Sequence, residues 1–242
     1  MIACATRLGE SIKDIPKQRQ IATALARALI SLIYPAFCLH CAQKLAYPHR
    51  LICKSCASTI EWIDKKALCP YCGSPSLRSG QSCPTCRRQK TFLQPHASLF
   101  VPFGPIADLW MFFRHQRDDS LAKLWACLIT IKLAELPWPL PSVIVPVPAS
   151  RVDTWRLRNQ ESALIAKALG RLFDLPVVWA LARTAADQLV VKKSSQTLCD
   201  QKVLLVTAEL LSSDFLAHAR RCLRALFPAA IYSLAVIDRR AE

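Results

Sequence analysis

The stretch "KVLLVTAELLSSDFLAHARRCLRAL", Lys202–Leu226, decides how the C-terminal part of this chain is read. Lys202–Val206 is a short apolar run of the kind that forms a buried strand, and Asp214–Phe227 carries helical spacing. A polar turn joins them. In α/β proteins such a junction is where phosphates are held, on a glycine-rich turn at a helix N-terminus. This turn has no glycine, and without one the backbone cannot readily adopt positive φ or approach a phosphate closely. Asp214 puts a negative charge where the phosphate would sit. Ser212 or Ser213 reads instead as an N-cap, with Asp214 complementing the helix dipole.

Four further apolar runs lie outward from this junction: Ala97–Phe103, Ser142–Pro148, Pro176–Leu181 and Ala230–Ile237. Helical patterns separate them at Ile106–Arg114, Ser120–Leu136 and Gln160–Phe173. Alternating strands and helices predict an α/β fold with a doubly wound, mostly parallel sheet over residues 93–242. The Pro-rich segment Leu136–Ser142 is a rigid lead into a strand.

The N-terminal part has a different character. Eight of the twelve cysteines form four CxxC pairs: Cys38/Cys41, Cys53/Cys56, Cys69/Cys72 and Cys83/Cys86. Each half of this block offers four thiolates on two tight turns, the donor set of a structural Zn²⁺ site with Zn–S near ~2.3 Å. The halves repeat as an internal duplication would. Two zinc ribbons over residues 37–92 are expected, each holding one ion. Pairing the first two knuckles with each other and the last two with each other is the simplest assignment, and an interleaved one stays open. A disulfide scaffold competes, but no secretory signal supports it. Cys127 and Cys222 read as small buried side chains in helical patterns.

Residues 1–36 contain an amphipathic helix, with Ile21, Leu25, Ala28, Leu29, Leu32 and Ile33 on one face. The apolar stretch Ile21–Phe37 includes Arg27 and ends near Pro35, short of the ~20 residues of a membrane span. It is also a poor signal peptide, so cytoplasmic residence is expected.

The formal charge is +15, from 32 Lys/Arg and 17 Asp/Glu. It falls to about +11 if two Zn(Cys)₄ sites of charge −2 fill. Such a balance favours polyanionic partners, single-stranded DNA or another nucleic acid before a membrane. Arg87, Arg88 and other basic residues surround the ribbons, with Tyr47, Trp62 and Tyr71 among them. Those aromatics either stack bases or fill the small core between the ribbons.

Taken in order, these features resemble the ComF-like competence family, phosphoribosyltransferase-like proteins with an N-terminal double zinc ribbon. The matching segments are "LISLIYPAFCLHC", the paired knuckles, "LFVPFGPIADLWMFFR", the "VPVP" of Val145–Pro148, "RVDTWRLRNQ" (Arg151–Gln160) and the strand–turn–helix of Lys202–Leu226. The resemblance runs over roughly residues 28–239. It implies a type I phosphoribosyltransferase-like sheet, competence or recombination proteins as partners, and Mg²⁺ only if phosphoribosyl pyrophosphate is bound.

The family pattern has two consecutive aspartates, which hold the ribose hydroxyls, and a Thr-Thr-Gly turn, which holds the 5′-phosphate. Here the acid positions fall on Thr207 and Ala208, and the turn positions on Leu211, Ser212 and Ser213. Glu209 comes one residue late, which at a strand end redirects its side chain. The glycine-aromatic pair before Asn-Gln is also missing, and Asn159 reads as the cap of the next helix. Arg151, Arg156 and Arg158 are candidate anion or nucleic-acid contacts, as are Lys192 and Lys193 on Thr184–Thr197, which the resemblance makes a mobile loop. Three functions stay open: a non-catalytic, nucleic-acid-associated module supporting DNA uptake or processing, an active Mg²⁺-dependent phosphoribosyltransferase, and a zinc-ribbon protein–protein scaffold.

Overall fold

The structure is a computed structural model that describes residues 36–47, 50–64, 69–71, 81–88, 95–116, 119–150, 160–192, 198–210 and 212–240. The helix expected over Ile21–Ile33 lies outside them. The described residues fall into two compact units, one up to Thr59 and the other from Ile60.

The first unit is built on one CxxC pair facing another. Phe37 and Lys44 form an antiparallel bridge, and Cys38 N–H donates to Gln43 O at 2.8 Å. The second pair opens a single helical turn, α1 (Lys54–Ser58). Cys38, Leu45 and Cys56 make its small buried centre, flanked by Ala36 and Ile52.

The second unit begins with the later cysteines and a matching turn, α2 (Pro84–Arg88). It continues through β1 (His96–Phe100), α3 (Pro105–Gln116), α4 (Asp119–Glu135), β2 (Val143–Pro146), α5 (Glu161–Phe173), β3 (Leu181–Arg183), β4 (Leu189–Val191), β5 (Lys202–Leu210), α6 (Ser213–Arg224) and β6 (Ala230–Asp238). Four strands form a parallel sheet in the order β1-β6-β5-β2. Residues on both faces of β2 and β5 are buried: Val143, Val145, Val203 and Leu205 face α6, while Ile144 and Leu204 alternate with them. The opposite face is covered by α5, which packs on β2 and β5 and against α4. The α/β fold with a parallel sheet wrapped on both faces is therefore present.

Spacing explains the helices. α3 buries Ile106, Leu109, Trp110 and Phe113, one apolar stripe at i, i+3, i+4 and i+7. These join Phe100 and Trp125 in an aromatic cluster, with Trp110 and Trp125 meeting edge to face at 5.3 Å. The helix–strand contact beyond α5 is so close that a Cβ on Gly170 would sit 2.7 Å from Val177 Cγ2 and 2.9 Å from Leu175 O.

The sheet departs from the sequence-based expectation in three places. β5 continues four residues past Val206, because Thr207, Glu209 and Leu210 stay in register with Ala235, Ile237 and Asp238 of β6. Pro176–Leu181 is not a strand of the main sheet: Val177 makes one parallel bridge to Ile144, and the chain then enters β3. The segment expected to be a loop instead contains β4, paired antiparallel to β3 from Leu181↔Val191 to Arg183↔Leu189. Cys127 is exposed and Cys222 half-buried, so neither is the buried core residue expected.

A buried polar group closes the β1 edge. His96 Nε2 and Ser98 Oγ lie 3.0 Å apart, and Ser98 donates to Asp238 Oδ2 at 2.8 Å. Burial, with help from Arg220 and Arg240, holds the His96 pKa well below its ordinary value. Folding therefore favours neutral His96, and this contribution is complete above about pH 6.5 and lost as pH falls below it. Thermal melts between pH 8 and 5 should show a decline that His96→Gln flattens relative to wild type. Gly170→Ala should lower stability by about 1–3 kcal/mol in denaturant titration, the clash outweighing alanine's better helix propensity.

Candidate functional sites

Two sites emerge, a pair of thiolate clusters and a cleft at the C-terminal edge of the sheet. In the first unit the sulfurs of Cys38, Cys41, Cys53 and Cys56 all lie within 4.8 Å of one another. Cys41 and Cys53 Sγ are 3.7 Å apart. Tetrahedral Zn–S bonds of ~2.3 Å place sulfurs about 3.8 Å apart, whereas a disulfide needs about 2.05 Å. No disulfide joins the described cysteines.

Cys69, Cys83 and Cys86 make the corresponding cluster in the second unit, and Cys72 lies outside the described residues. The backbone around the sulfurs is the same in both. Cys53 N–H donates to Cys38 Sγ at 3.4 Å and Cys83 N–H to Cys69 Sγ at 3.3 Å. Cys56 N–H donates to Cys53 Sγ and Cys86 N–H to Cys83 Sγ, each at 3.4 Å. The duplicated spacing is thus a duplicated structure.

Electrostatics in the first cluster point to a cation. Burial raises the Cys38 thiol, but N–H groups of Cys41, Cys53 and His40 pull it down to about 6. The Ser55 hydroxyl lowers Cys53, while the hydrogen bond between Cys56 and Cys53, together with burial, pushes Cys56 up. Crowded thiols of this kind cannot all ionise until a positive charge neutralises them. Zinc fits the donor set, and with four sulfurs on the ion no position is left for a reacting water.

The ribbon aromatics have different settings. Trp62 stacks on Phe100 at 4.5 Å, with Lys132 Nζ 5.8 Å from its ring. Lys132, itself buried, donates to Ile63 O at 2.9 Å. Trp62 therefore packs against Phe100 of β1 while staying partly exposed. Tyr47 is exposed beneath the Arg50 guanidinium at 4.9 Å.

The cleft at the sheet edge encloses about 270 Å³. Its floor includes Trp110, Val147, Pro148 and Phe215, and its rim is charged. Arg114 Nε pairs with Glu161 Oε1 at 3.2 Å and Arg114 Nη1 with Glu209 Oε1 at 3.2 Å. Glu209 also accepts from Trp110 Nε1 and pairs through Oε2 with Arg239 at 3.5 Å. Arg183 reaches Pro148 O at 3.0 Å and Asp187 Oδ2 at 3.2 Å, with its guanidinium 5.2 Å from the Phe215 ring.

The residues at the expected acid and phosphate positions are bonded to this framework. Thr207 and Ala208 belong to β5. The Thr207 hydroxyl donates to Glu209 O at 2.9 Å, and Ala208 N–H donates to Ser162 Oγ at 2.9 Å. Ser212 is the N-cap of α6, accepting from Phe215 N–H at 3.1 Å, and Asp214 sits in the first turn. Leu211 and the Ser213 side chain lie outside the described residues.

Arg151, Arg156, Arg158, Lys193 and the Arg88 side chain also lie outside them, as does Asn159. Gln160, not Asn159, occupies the N-cap position of α5, without a side-chain cap bond. Lys192 and Arg87 are exposed and do not line the cleft. Sequence reasoning missed Arg114, Glu161, Arg183 and Asp187 as rim residues. The Arg183/Asp187 pair had a local signal in its spacing; Arg114 and Glu209 are 95 residues apart and had none.

Comparisons with known proteins follow the same outline. Residues 29–95 match the double zinc ribbon domain family. The "DNA utilization protein YhgH" of Salmonella typhi is 28% identical over 142 residues, covering 57% of this chain and 62% of that protein. The protein of the same name from Salmonella typhimurium is 27% identical over 142 residues, with the same coverage. The match thus spans under two thirds of these relatives. Among solved structures, Leishmania donovani UMP synthase aligns at 15% identity over 69% of this chain and 28% of that one, with a TM-score of 0.37. The hypoxanthine phosphoribosyltransferase of Trypanosoma cruzi aligns at 18% identity over 50% of this chain and 67% of that one, with a TM-score of 0.33. The chain carries a double zinc ribbon domain and is similar to DNA utilization proteins, in keeping with its ComF-like resemblance. Among the described residues, no helix is long and apolar enough to cross a membrane.

Metal analysis of the purified chain should return about two zinc ions, and under one would overturn the paired sites. Glu209→Ala, which removes one acidic partner each from Arg114 and Arg239, should cost about 2 kcal/mol in denaturant titration.

Proposed function

We propose that this chain is a ComF-like protein of DNA utilization, a nucleic-acid-associated module whose α/β unit does not transfer phosphoribosyl groups. One observation carries the second half of this reading: β5 runs through the positions where a ribose-binding acid pair would stand. Thr207 and Ala208 have no carboxylate, and their polar groups are bonded to Glu209 and Ser162. Glu209, the nearest acid, is held by Trp110, Arg114 and Arg239. The turn that follows has no glycine, and its Ser212 hydroxyl already caps α6. Phosphoribosyl pyrophosphate with Mg²⁺ does not fit such a donor set.

The first half is supported by the double zinc ribbon, the similarity to DNA utilization proteins and a charge of +15. On this reading the basic side chains engage phosphates without reading sequence, so affinity falls steeply with salt.

Titration calorimetry with phosphoribosyl pyrophosphate and Mg²⁺ is the deciding measurement. No saturable heat is expected, and stoichiometric binding would overturn the non-catalytic reading. In parallel, fluorescence anisotropy with a single-stranded oligonucleotide should show binding at low salt that weakens steeply between 50 and 200 mM, by about tenfold or more. No binding at low salt would remove the nucleic-acid role.

A further inference from the structure

The two thiolate clusters have the same local geometry and very different surroundings. In the first, Leu39 N–H, between Cys38 and Cys41, donates to Leu51 O at 2.9 Å, a bond inside the same small unit. In the second, the two residues between Cys69 and Cys72 are both gripped by the α/β framework. Pro70 O accepts from His96 N–H of β1 at 2.8 Å, and Tyr71 O accepts from Arg220 Nη1 of α6 at 2.9 Å.

Arg220 is buried, with 8% of its surface exposed, although it is an arginine on an otherwise amphipathic helix. Its other donors are also engaged. Nε donates to Ser233 Oγ of β6 at 2.8 Å and Nη2 to Pro95 O at 3.1 Å, while Ser233 N–H donates to the same Pro95 carbonyl at 3.0 Å. One guanidinium thus ties a metal knuckle to the entry of β1, to β6 and to α6. The same helix carries Ser212 and Phe215 into the wall of the cleft.

We propose that the two zinc sites are unequal: the second holds the α/β unit and its cleft in register through Arg220, and loss of metal from the first leaves that register unchanged. The chemistry is one of position. A zinc ion fixes the Cys69 turn, which presents the Pro70 and Tyr71 carbonyls at one spacing, and β1 and Arg220 bond to that spacing. When the ion leaves, the turn loses its restraint and a buried guanidinium loses an acceptor, a costly state inside a protein. Arg220 is a positioning residue, outside the ligand shell yet coupled to it, and such partners commonly change metal affinity by about tenfold or more.

The test uses the zinc-loaded full-length chain challenged with a chelator. Released metal is followed by a dye, and the α/β core by tryptophan fluorescence, since Trp110 and Trp125 lie inside it. One ion should leave quickly without a fluorescence change, and the other slowly, together with the change. Cys41→Ser should abolish only the fast phase. Arg220→Met should speed the slow phase by about tenfold and leave the fast phase alone.

Release of both ions in one phase would overturn the proposal, as would an Arg220→Met chain whose slow phase is unchanged. A brace unrelated to metal would lower the melting temperature equally with and without zinc at the second site. The proposal instead expects Arg220→Met and Cys83→Ser to be non-additive. If Arg220→Met does not fold, the wild-type phases and Cys41→Ser still decide between unequal and equivalent sites.

Discussion

The pairing of β5 with β6, from Lys202↔Ala230 to Leu210↔Asp238, is the interaction on which the rest of the α/β unit depends. It forms the centre of the four-stranded sheet, with both outer strands bonded to it. Buried backbone amides and carbonyls must find partners, so a long partner strand draws its neighbour along. β6 stays apolar and buried through Ile237, and β5 follows it past the point where its own apolar run ends. Thr207 and Ala208, where the resemblance places an acid pair, are thereby part of the strand.

That extension has an electrostatic counterpart. Glu209 on a buried strand would be costly alone, and three partners from outside β5 meet it: Trp110 and Arg114 on α3, and Arg239 just beyond β6. Arg114 also holds Glu161 at the start of α5. The cleft is lined by groups whose charges are already balanced, so its polarity serves the joint between α3, α5 and β5. A charged rim is often read as a ligand site; here the same charges also bond the wall together.

What the sequence made legible was local. The CxxC spacing named the zinc ligands because a knuckle is a property of four consecutive residues, and apolar runs located β1, β2, β5 and β6 because buried parallel strands are continuous in character. The end of β5 was hidden because Thr207, Ala208 and Glu209 have no strand signature of their own. Their conformation is set by β6 and by Arg114, far away in the chain. The β3–β4 hairpin was hidden for a related reason. Leu189–Val191 is three residues long, and its pairing depends on a turn in which Asp187 adopts a positive φ of 59°, usually a glycine's role. Trp62 looked like a ribbon aromatic by its position, but a buried lysine, Lys132, fastens the adjacent carbonyl to α4.

The parallel order β1-β6-β5-β2 also sets a timetable for biosynthesis. β1 is made near residue 100, but its main-sheet neighbour among the described residues is β6, which begins only at Ala230. Until then the fully buried strand His96–Phe100 has an open edge and no sheet to join. The ligands of the first cluster, Cys38 to Cys56, lie within one short segment that precedes β1 and can gather around metal before β6 is made. The α/β unit thus waits on β6, with the exposure to misassembly that late, long-range strand pairing brings.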